Sequence, residues 1–449
     1  MERGYDCQPD ISHYWGQYSP YYSVPSDMSP DVPNNCKVTF AQVLSRHGAR
    51  DPTAAKTVLY NGLIQKLKSN VQRFEGSYRF LARYKYNLGE DQLTRFGEDQ
   101  LVNSGIKYYN RYKGLTRHLY PFVRASGQDR VVTSAENFTQ GYEQAAFADT
   151  GTKIDPEAHK IVVISEAPGS NNTLDHGLCK DFEDLPAYEG GKIAQETWQE
   201  IFTPPITARL NAALPGANLT ALETIFFMDL CPFETVASPL GEISRFCSLF
   251  TPDEWRQYDY YQSLGKYYGY GSGNPLGPTQ GVGFANELIA RLTSSPVNDH
   301  TSVNHTLDDA NATFPIGAGH PLYADFSHDN DMTAIFSALG LYNTTQPLPN
   351  KTIETTAQTH GYSASWTVPF AARAYFEKMT CVGEEEEFVR VLVNDRVLPL
   401  GTCGGDALGR CTLSRFVESL SFVRSGGRWD QCFGSSLIRL IPTVGARVD

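Results

Sequence analysis

Residues 37–53 read KVTFAQVLSRHGARDPT, a β-rich apolar run from Lys37 to Leu44 that passes directly into a loop holding Arg46, His47 and Arg50. A strand apolar on both faces is the pattern of one buried on both sides, as in the middle of an α/β sheet. Such sheets present their ligands at the strands' C-terminal ends. Two guanidiniums and an imidazole therefore fall where chemistry is done, in a chain of formal net charge −12. Arg46 and Arg50 make a phosphate clamp, because guanidinium is a planar, permanently charged fork that matches phosphate oxygens. Gly48 reads as room for a ligand to approach the backbone. Between the forks, surrounding positive charge disfavours protonation of His47, which leaves a neutral nucleophile in acid. Asp51 stands out beside these cations. It reads either as a rim residue that meets solvent or a neighbouring Arg or Lys, or as a charge that repels a polyphosphate above about pH 4, its ordinary pKa.

An isolated R-H-G tripeptide reads more readily as a solvated surface loop. A nucleophile that expels an alkoxide also needs a proton donor, and a second strand end supplies a candidate. Residues 321–331, PLYADFSHDND, alternate like a strand, reach His328 and Asp329, and lead into a helix-like segment from Met332 to Leu339. Asp329 would protonate the leaving oxygen and His328 would donate to the phosphate, provided the bound anion keeps the Asp329 carboxyl protonated. Taken alone, H-D after a strand is also an ordinary helix N-cap.

The rest of the chain bounds the answer. With 449 residues, 41% hydrophobic and 20% charged, and a sequence pI near 5.4, it is a folded, mildly acidic protein too long for one core. Two domains, or one with a large insertion, are expected. An acidic surface argues against nucleic-acid and membrane partners, and no run of 18 apolar residues exists to span a bilayer. Short strands are expected at 161–165 and, meeting at an Asn394-Asp395 turn, within 387–400; amphipathic helices are expected at 98–113 and 280–292. Few strand signals occur between 170 and 310. The class is therefore α/β, with an α/β domain over 1–169 and 311–433, a mostly helical insertion at 170–310, and a tail at 434–449 expected to be disordered. The stretch GYGSGNPLG matches neither dinucleotide nor P-loop fingerprints and reads as a loop, and Glu384 to Glu387 as a solvated turn.

Nine cysteines without C-x-x-C or H-E-x-x-H spacing argue against zinc, and no cofactor motif is present. Seven N-x-[ST] sequons, at Asn137, Asn171, Asn218, Asn304, Asn311, Asn343 and Asn350, point together with the cysteines to secretion. The start MERGYDCQPD is polar, so a signal segment and the partner of Cys7 are expected to lie upstream.

R-H-G-A-R-D-P at 46–52 with S-H-D at 327–329 resembles the paired signatures of the histidine acid phosphatases. WGQYSP at 15–20, GYSASWTVPF at 361–370, LVNDRVLPL at 392–400 and the stretch from Gln257 to Leu292 look like the fungal phytases of that family, so the resemblance covers Tyr5 to Phe433. It implies a phosphoglycerate-mutase-like sheet with helices on both faces plus a smaller helical domain, and a secreted, monomeric, cofactor-free phytase of the 3-phytase type acting on inositol phosphates. His47 is then the nucleophile and Asp329 the proton donor. Arg46, Arg50, His328 and Arg130 bind the scissile phosphate, with Thr53, Lys56, Lys266 and Gln17 around them. The resemblance also implies disulfides Cys36–Cys381, Cys179–Cys432, Cys231–Cys247 and Cys403–Cys411. Ala82 and Gly265 stand where relatives place lysine, and Arg79, Arg83 or Lys85 would compensate. A broad-specificity acid phosphatase is the alternative within enzymes, and a catalytically silent phosphate-binding glycoprotein the alternative outside them.

Overall fold

The computed structural model describes residues 8–117, 119–151, 160–184, 186–317 and 319–434. Cys7 and the tail from residue 435 lie outside them. Strand β1 (Cys36–Arg46) is central in an eight-stranded sheet that also holds β2 (Phe122–Ser126), β3 (Val162–Ile164), β4 (Leu322–Ser327), β5 (Arg373–Cys381), β6 (Phe388–Val393), β7 (Arg396–Val397) and β8 (Arg410–Thr412). The order is β3-β2-β4-β1-β5-β6-β7, with β8 also beside β6. The first four strands in that order run parallel, and β5 onward is antiparallel. Asn394 and Asp395 join β6 to β7 with positive φ of 48° and 70°, the geometry that makes a two-residue hairpin fit the strand twist.

The period of two along β1 divides its side chains between two cores. Phe40 and Leu44 pack with Leu288 of helix Val282–Thr293 and Met332 of helix Asp329–Ala338. Ala41 and Val43 pack on the other face with Leu101 and Tyr108 of helix Arg95–Arg111 and Phe138 and Tyr142 of helix Asp129–Thr150. Helices thus cover both faces, as a parallel sheet requires. The Arg95–Arg111 helix starts before residue 98 because the Thr94 hydroxyl accepts from the Gly97 N–H at 3.1 Å.

A third core joins helices Ala54–Asn70, Pro186–Ala213, Ala221–Val236 and Pro252–Gly269 through Leu63, Phe202, Phe227 and Leu264. The last two helices begin with reciprocal capping boxes, Thr220 with Glu223 and Thr251 with Glu254. These cores cut across the boundaries expected at 169 and 310. The Ala54–Asn70 helix joins the helical core, whereas Val282–Thr293 lies on the sheet, because each buries its apolar face where space allows and not where the chain order suggests. Residues 269–277, the stretch expected to be a loop, run as turns from the end of the Pro252–Gly269 helix; in it Asn274 Oδ1 accepts from the Leu276 and Gly277 amides, and one helical turn follows at Gly277–Gln280.

A buried ion cluster locks the sheet beneath the site. Arg124 of β2 donates to Asp325 of β4 at 2.7 Å and to Glu287 at 2.6 Å, while Arg291 meets Asp325 at 2.6 Å. The four disulfides of the structure are Cys36–Cys381, Cys179–Cys432, Cys231–Cys247 and Cys403–Cys411. Cys36–Cys381 closes 345 residues and joins facing positions of β1 and β5. Replacing both of its cysteines with serine is expected to cost about 2–5 kcal/mol, read as a lower denaturant midpoint. Among the sequons, Asn171, Asn218, Asn311 and Asn343 are exposed, whereas Asn137 is half-buried with its amide donating to Thr133 O at 2.8 Å. Among the described residues no helix is long and apolar enough to cross a membrane.

Candidate active site

The parallel register pairs Arg46 with Ser327, so β1 and β4 end side by side. The His47 amide then donates to Ser327 O at 3.1 Å, and the His47 and His328 rings lie with centroids 5.7 Å apart. The neighbouring strands deliver to the same edge: β2 leads to Arg130 in the first turn of helix Asp129–Thr150, and β3 leads to Glu166. Four strand ends converge because all four are parallel.

The loop that holds His47 is clamped on its far side. Gly48 N donates to Ser134 Oγ at 3.1 Å and Ala49 N to Gln100 Oε1 at 2.9 Å. A Cβ on Gly48 would stand 2.3 Å from Gly97 O, so glycine is demanded by the helix behind the loop. The role first read for it, admitting a ligand, is therefore replaced by close packing.

His47 is 1% exposed, and its Nδ1 lies 2.8 Å from Gly48 O. A carbonyl only accepts, so Nδ1 carries the hydrogen and Nε2 keeps its lone pair. Burial, then the charges of Arg46, Arg130 and Arg50, hold the imidazole pKa well below its usual value. Arg46 is fully buried; its Nη1 donates to Gln17 O and to Val368 O, the latter at 2.8 Å, and its guanidinium stacks 4.6 Å over Phe370. Its Nε and Nη2, with Nε of Arg50 and of Arg130, are buried without a hydrogen-bond partner. Burial lowers the Arg46 and Arg130 pKa values to about 10, since each faces other cations.

Asp329 opens helix Asp329–Ala338, with His328 as N-cap residue, so the helix's positive end also points at this edge. Asp329 Oδ2 lies 2.5 Å from Lys266 Nζ and 3.5 Å from Arg46 Nη2. Burial alone would raise its carboxyl, but Arg46 and Lys266 hold it well below the ordinary carboxylate range. Without an anion in the site, Asp329 is thus a paired carboxylate. Burial lowers the Lys266 pKa in turn, and its ammonium also donates to Asn330 Oδ1 at 2.5 Å.

Sequence reasoning passed over Glu166. Its carboxylate accepts from Ser126 Oγ at 2.6 Å, from Gln128 N at 3.0 Å and from His328 Nε2 at 3.0 Å. Burial opposes its charge, yet these donors, His328 first, bring its pKa down to about 2. An ionised carboxylate fixes the hydrogen on Nε2 of His328 and leaves Nδ1 to turn elsewhere. Its position just past β3, where the same strand-end logic applies, was the available signal.

A cleft of about 290 Å³ opens over Arg50 and Asp329, with Gln17, Lys56, Lys266 and Asp229 also on its wall. Gln17 donates through Nε2 to Gln262 at 2.9 Å, and its buried Oε1 has no partner. Lys56 Nζ is held 3.4 Å from Asp229, which also accepts from Tyr60 at 2.7 Å and from Tyr258. Thr53 precedes helix Ala54–Asn70 without using its hydroxyl to cap it. At Gly265, a Cβ would stand 2.6 Å from Gln195 Nε2, so the Gln195 amide fills the space of a longer side chain. Arg79 and Arg83 line a different cavity and do not replace the missing lysines of this cleft. Asp51 turns from the phosphate clamp toward Gly89, whose amide supports its charge; burial nonetheless raises its pKa.

A family model described as histidine phosphatase superfamily (branch 2) matches residues 37–394. Phytase A of Aspergillus oryzae is 55% identical over 438 residues, covering 96% of this chain and 93% of that protein. Phytase A of Aspergillus fumigatus is 53% identical over 437 residues, covering 96% and 93%. Among solved structures, the phytase from D. castellii matches with a TM-score of 0.76 at 23% identity, over 94% of this chain and 87% of that one. The multiple inositol polyphosphate phosphatase of Bifidobacterium longum, in complex with inositol hexasulfate, matches at 0.64 with 14% identity, over 92% and 98%. At those identities the solved structures speak to the fold alone.

Proposed function

The chain belongs to branch 2 of the histidine phosphatase superfamily, and from that premise we propose that it is a phytase that removes phosphates stepwise from myo-inositol hexakisphosphate through a phosphohistidine. The observation that carries this reading is the set of buried guanidinium nitrogens of Arg46, Arg50 and Arg130 without partners, gathered round a neutral His47. Buried N–H donors left without acceptors are costly even where the same guanidinium meets an acid elsewhere, as Arg46 meets Asp329 and Arg130 meets Asp91, and a phosphate dianion is the group whose oxygens satisfy several at once.

In the mechanism, His47 Nε2 attacks phosphorus while the ester P–O bond breaks. The leaving oxygen takes the Asp329 proton and departs as an alcohol. Water then attacks the phosphohistidine, gives one proton back to Asp329, and frees inorganic phosphate and His47. Asp329 gains its proton because a bound dianion takes over the charge of Arg46 and Lys266 that otherwise holds it ionised. Arg130 and His328, the latter as an imidazolium whose Nδ1–H is left for the phosphate while Nε2–H is held by Glu166, hold the transferring oxygens, and Glu166 positions His328.

Glu166→Gln is expected to weaken inhibition by inorganic phosphate about ten- to a hundredfold, the worth of a charge-assisted hydrogen bond. An unchanged inhibition constant would assign Glu166 to stability alone.

Exposed sequons and four disulfides support an extracellular location. A second reading, a broad-specificity acid phosphatase, is favoured by the short supply of distal cations: Lys56 is tied to Asp229 and Gln195 stands beside Gly265. The deciding experiment measures phosphate release from phytate and from an aryl phosphate across acid and neutral pH. Preferential release from phytate is expected, and turnover of the aryl ester alone would overturn the phytase reading.

A further inference from the structure

Arg79 and Arg83 meet Arg245 around a cavity of about 660 Å³ whose remaining walls include Phe74, Phe80 and Tyr84. No carboxylate lines it. Among the described residues, none of these three guanidiniums has an ion-pair or hydrogen-bond partner, although the chain carries 50 acidic against 38 basic residues. Three other exposed arginines find acids, Arg95 meeting Glu98 at 3.1 Å, Arg117 meeting Asp149 at 2.7 Å and Arg209 meeting Glu254 at 2.7 Å. Arg415 and Arg424, by contrast, stand without an ion pair among the described residues but line no cavity with a second unpaired arginine. Three unpaired guanidiniums on one concavity of an acidic protein focus positive potential there.

The walls are held in place before any ligand arrives. Phe80 and Tyr84 each set an edge against the buried Phe246 ring at 5.1 Å, and the Tyr84 hydroxyl donates to Glu234. Arg79 lies within the Gly76–Ala82 turn of 3-10 helix and Arg83 caps its end, so the two guanidiniums rise from one rigid segment. Ala82 also lines the cavity, and its short side chain keeps the space open.

This cavity is distinct from the catalytic cleft. A groove beside it shares Phe80, Tyr84 and Arg245 with it and is also lined by Arg95, Glu234, Glu242 and Asp51, the residue that follows Arg50 of the catalytic cleft. The two cationic centres share no lining residue, and three carboxylates line the groove beside the arginine cavity, so a polyanion at one is not simply an overhang from the other.

We infer that the Arg79–Arg83–Arg245 cavity is a second, non-catalytic anion site that takes an inositol polyphosphate by several of its phosphates at once. Guanidinium forks match the oxygens, and several phosphates on one ring can meet three forks where a monoester meets one. The inference rests on the reading of the catalytic cleft as a site for inositol phosphates.

The test is calorimetric titration with myo-inositol hexasulfate, a polyanion without a phosphoester, beside initial rates on an aryl phosphate. The intact protein is expected to bind two molecules per chain, and Arg79→Gln/Arg83→Gln/Arg245→Gln one, with the second affinity weakened at least about tenfold. Because all three side chains are exposed, folding and aryl-phosphate turnover should be unchanged in the variant. A single bound molecule in the intact protein that still competes with aryl phosphate, or two in the variant, overturns the second site. Loss of that competition instead overturns the reading of the catalytic cleft.

Discussion

His47→Ala is expected to abolish turnover of every phosphomonoester, by about four to six orders of magnitude, because no other group can form the covalent intermediate. The deletion is chemically clean. His47 Nδ1 bonds only to the adjacent Gly48 carbonyl, while the loop is held by Gly48 N on Ser134 and Ala49 N on Gln100. Folding and phosphate affinity should therefore survive. Acid-quenched enzyme should carry labelled phosphate in the native protein and none in the variant; labelling that persists in the variant would place the nucleophile elsewhere.

The same residue sets the acid limb. The folded His47 pKa lies well below its ordinary value, so the imidazole is still neutral as pH falls past about 6.5. Protonation of His47 should cut kcat/KM only as pH falls through the lower, folded value. Stability carries the matching sign. Below about pH 6.5 the unfolded histidine binds a proton that the folded one refuses, so this site costs stability progressively in acid. His47→Ala should unfold less readily than the native protein at low pH.

Asp329→Asn is the second large effect, with an expected loss of about two to four orders of magnitude in kcat for alkyl phosphates such as phytate. Aryl phosphates, whose leaving oxygen needs less protonation, should lose less. Binding should hold or tighten, because Asn releases Lys266 and Arg46 from a competing carboxylate. Equal losses for alkyl and aryl esters would remove Asp329 from the proton-donor role. Its depressed pKa also stabilises the folded state above the ordinary carboxylate value near pH 4, and that stability is lost as pH falls through the folded value. Native and variant melting temperatures should converge in acid.

The legible part of this protein was local. The two-faced apolar run at 37–44 marked a buried strand, which the structure carries on to Arg46, S-H-D marked a second strand end, and the Asn394-Asp395 pair marked a hairpin, since each is written in neighbouring residues. Arg130 had no such mark, and only resemblance selected it. Glu166 was missed because the β3 run before it is three residues long and its partner His328 lies 162 positions away.

Composition and periodicity were enough to say α/β sheet, and the pairing of R-H-G with S-H-D, through its family resemblance, was what raised a phosphate clamp and histidine chemistry above a solvated loop and a helix cap, because backbone pattern and side-chain charge act over a few residues. Tertiary packing decided the rest. Only the parallel alignment of β3, β2, β4 and β1 brings Glu166, Arg130, His328 and His47 to one edge. Only burial leaves guanidinium nitrogens of three arginines without acceptors, only the approach of Arg46 and Lys266 keeps Asp329 ionised against its own burial, and only the approach of Gly97 explains why residue 48 must lack a Cβ. Charge state and close contact depend on what the fold excludes from water, which a linear order of residues does not contain.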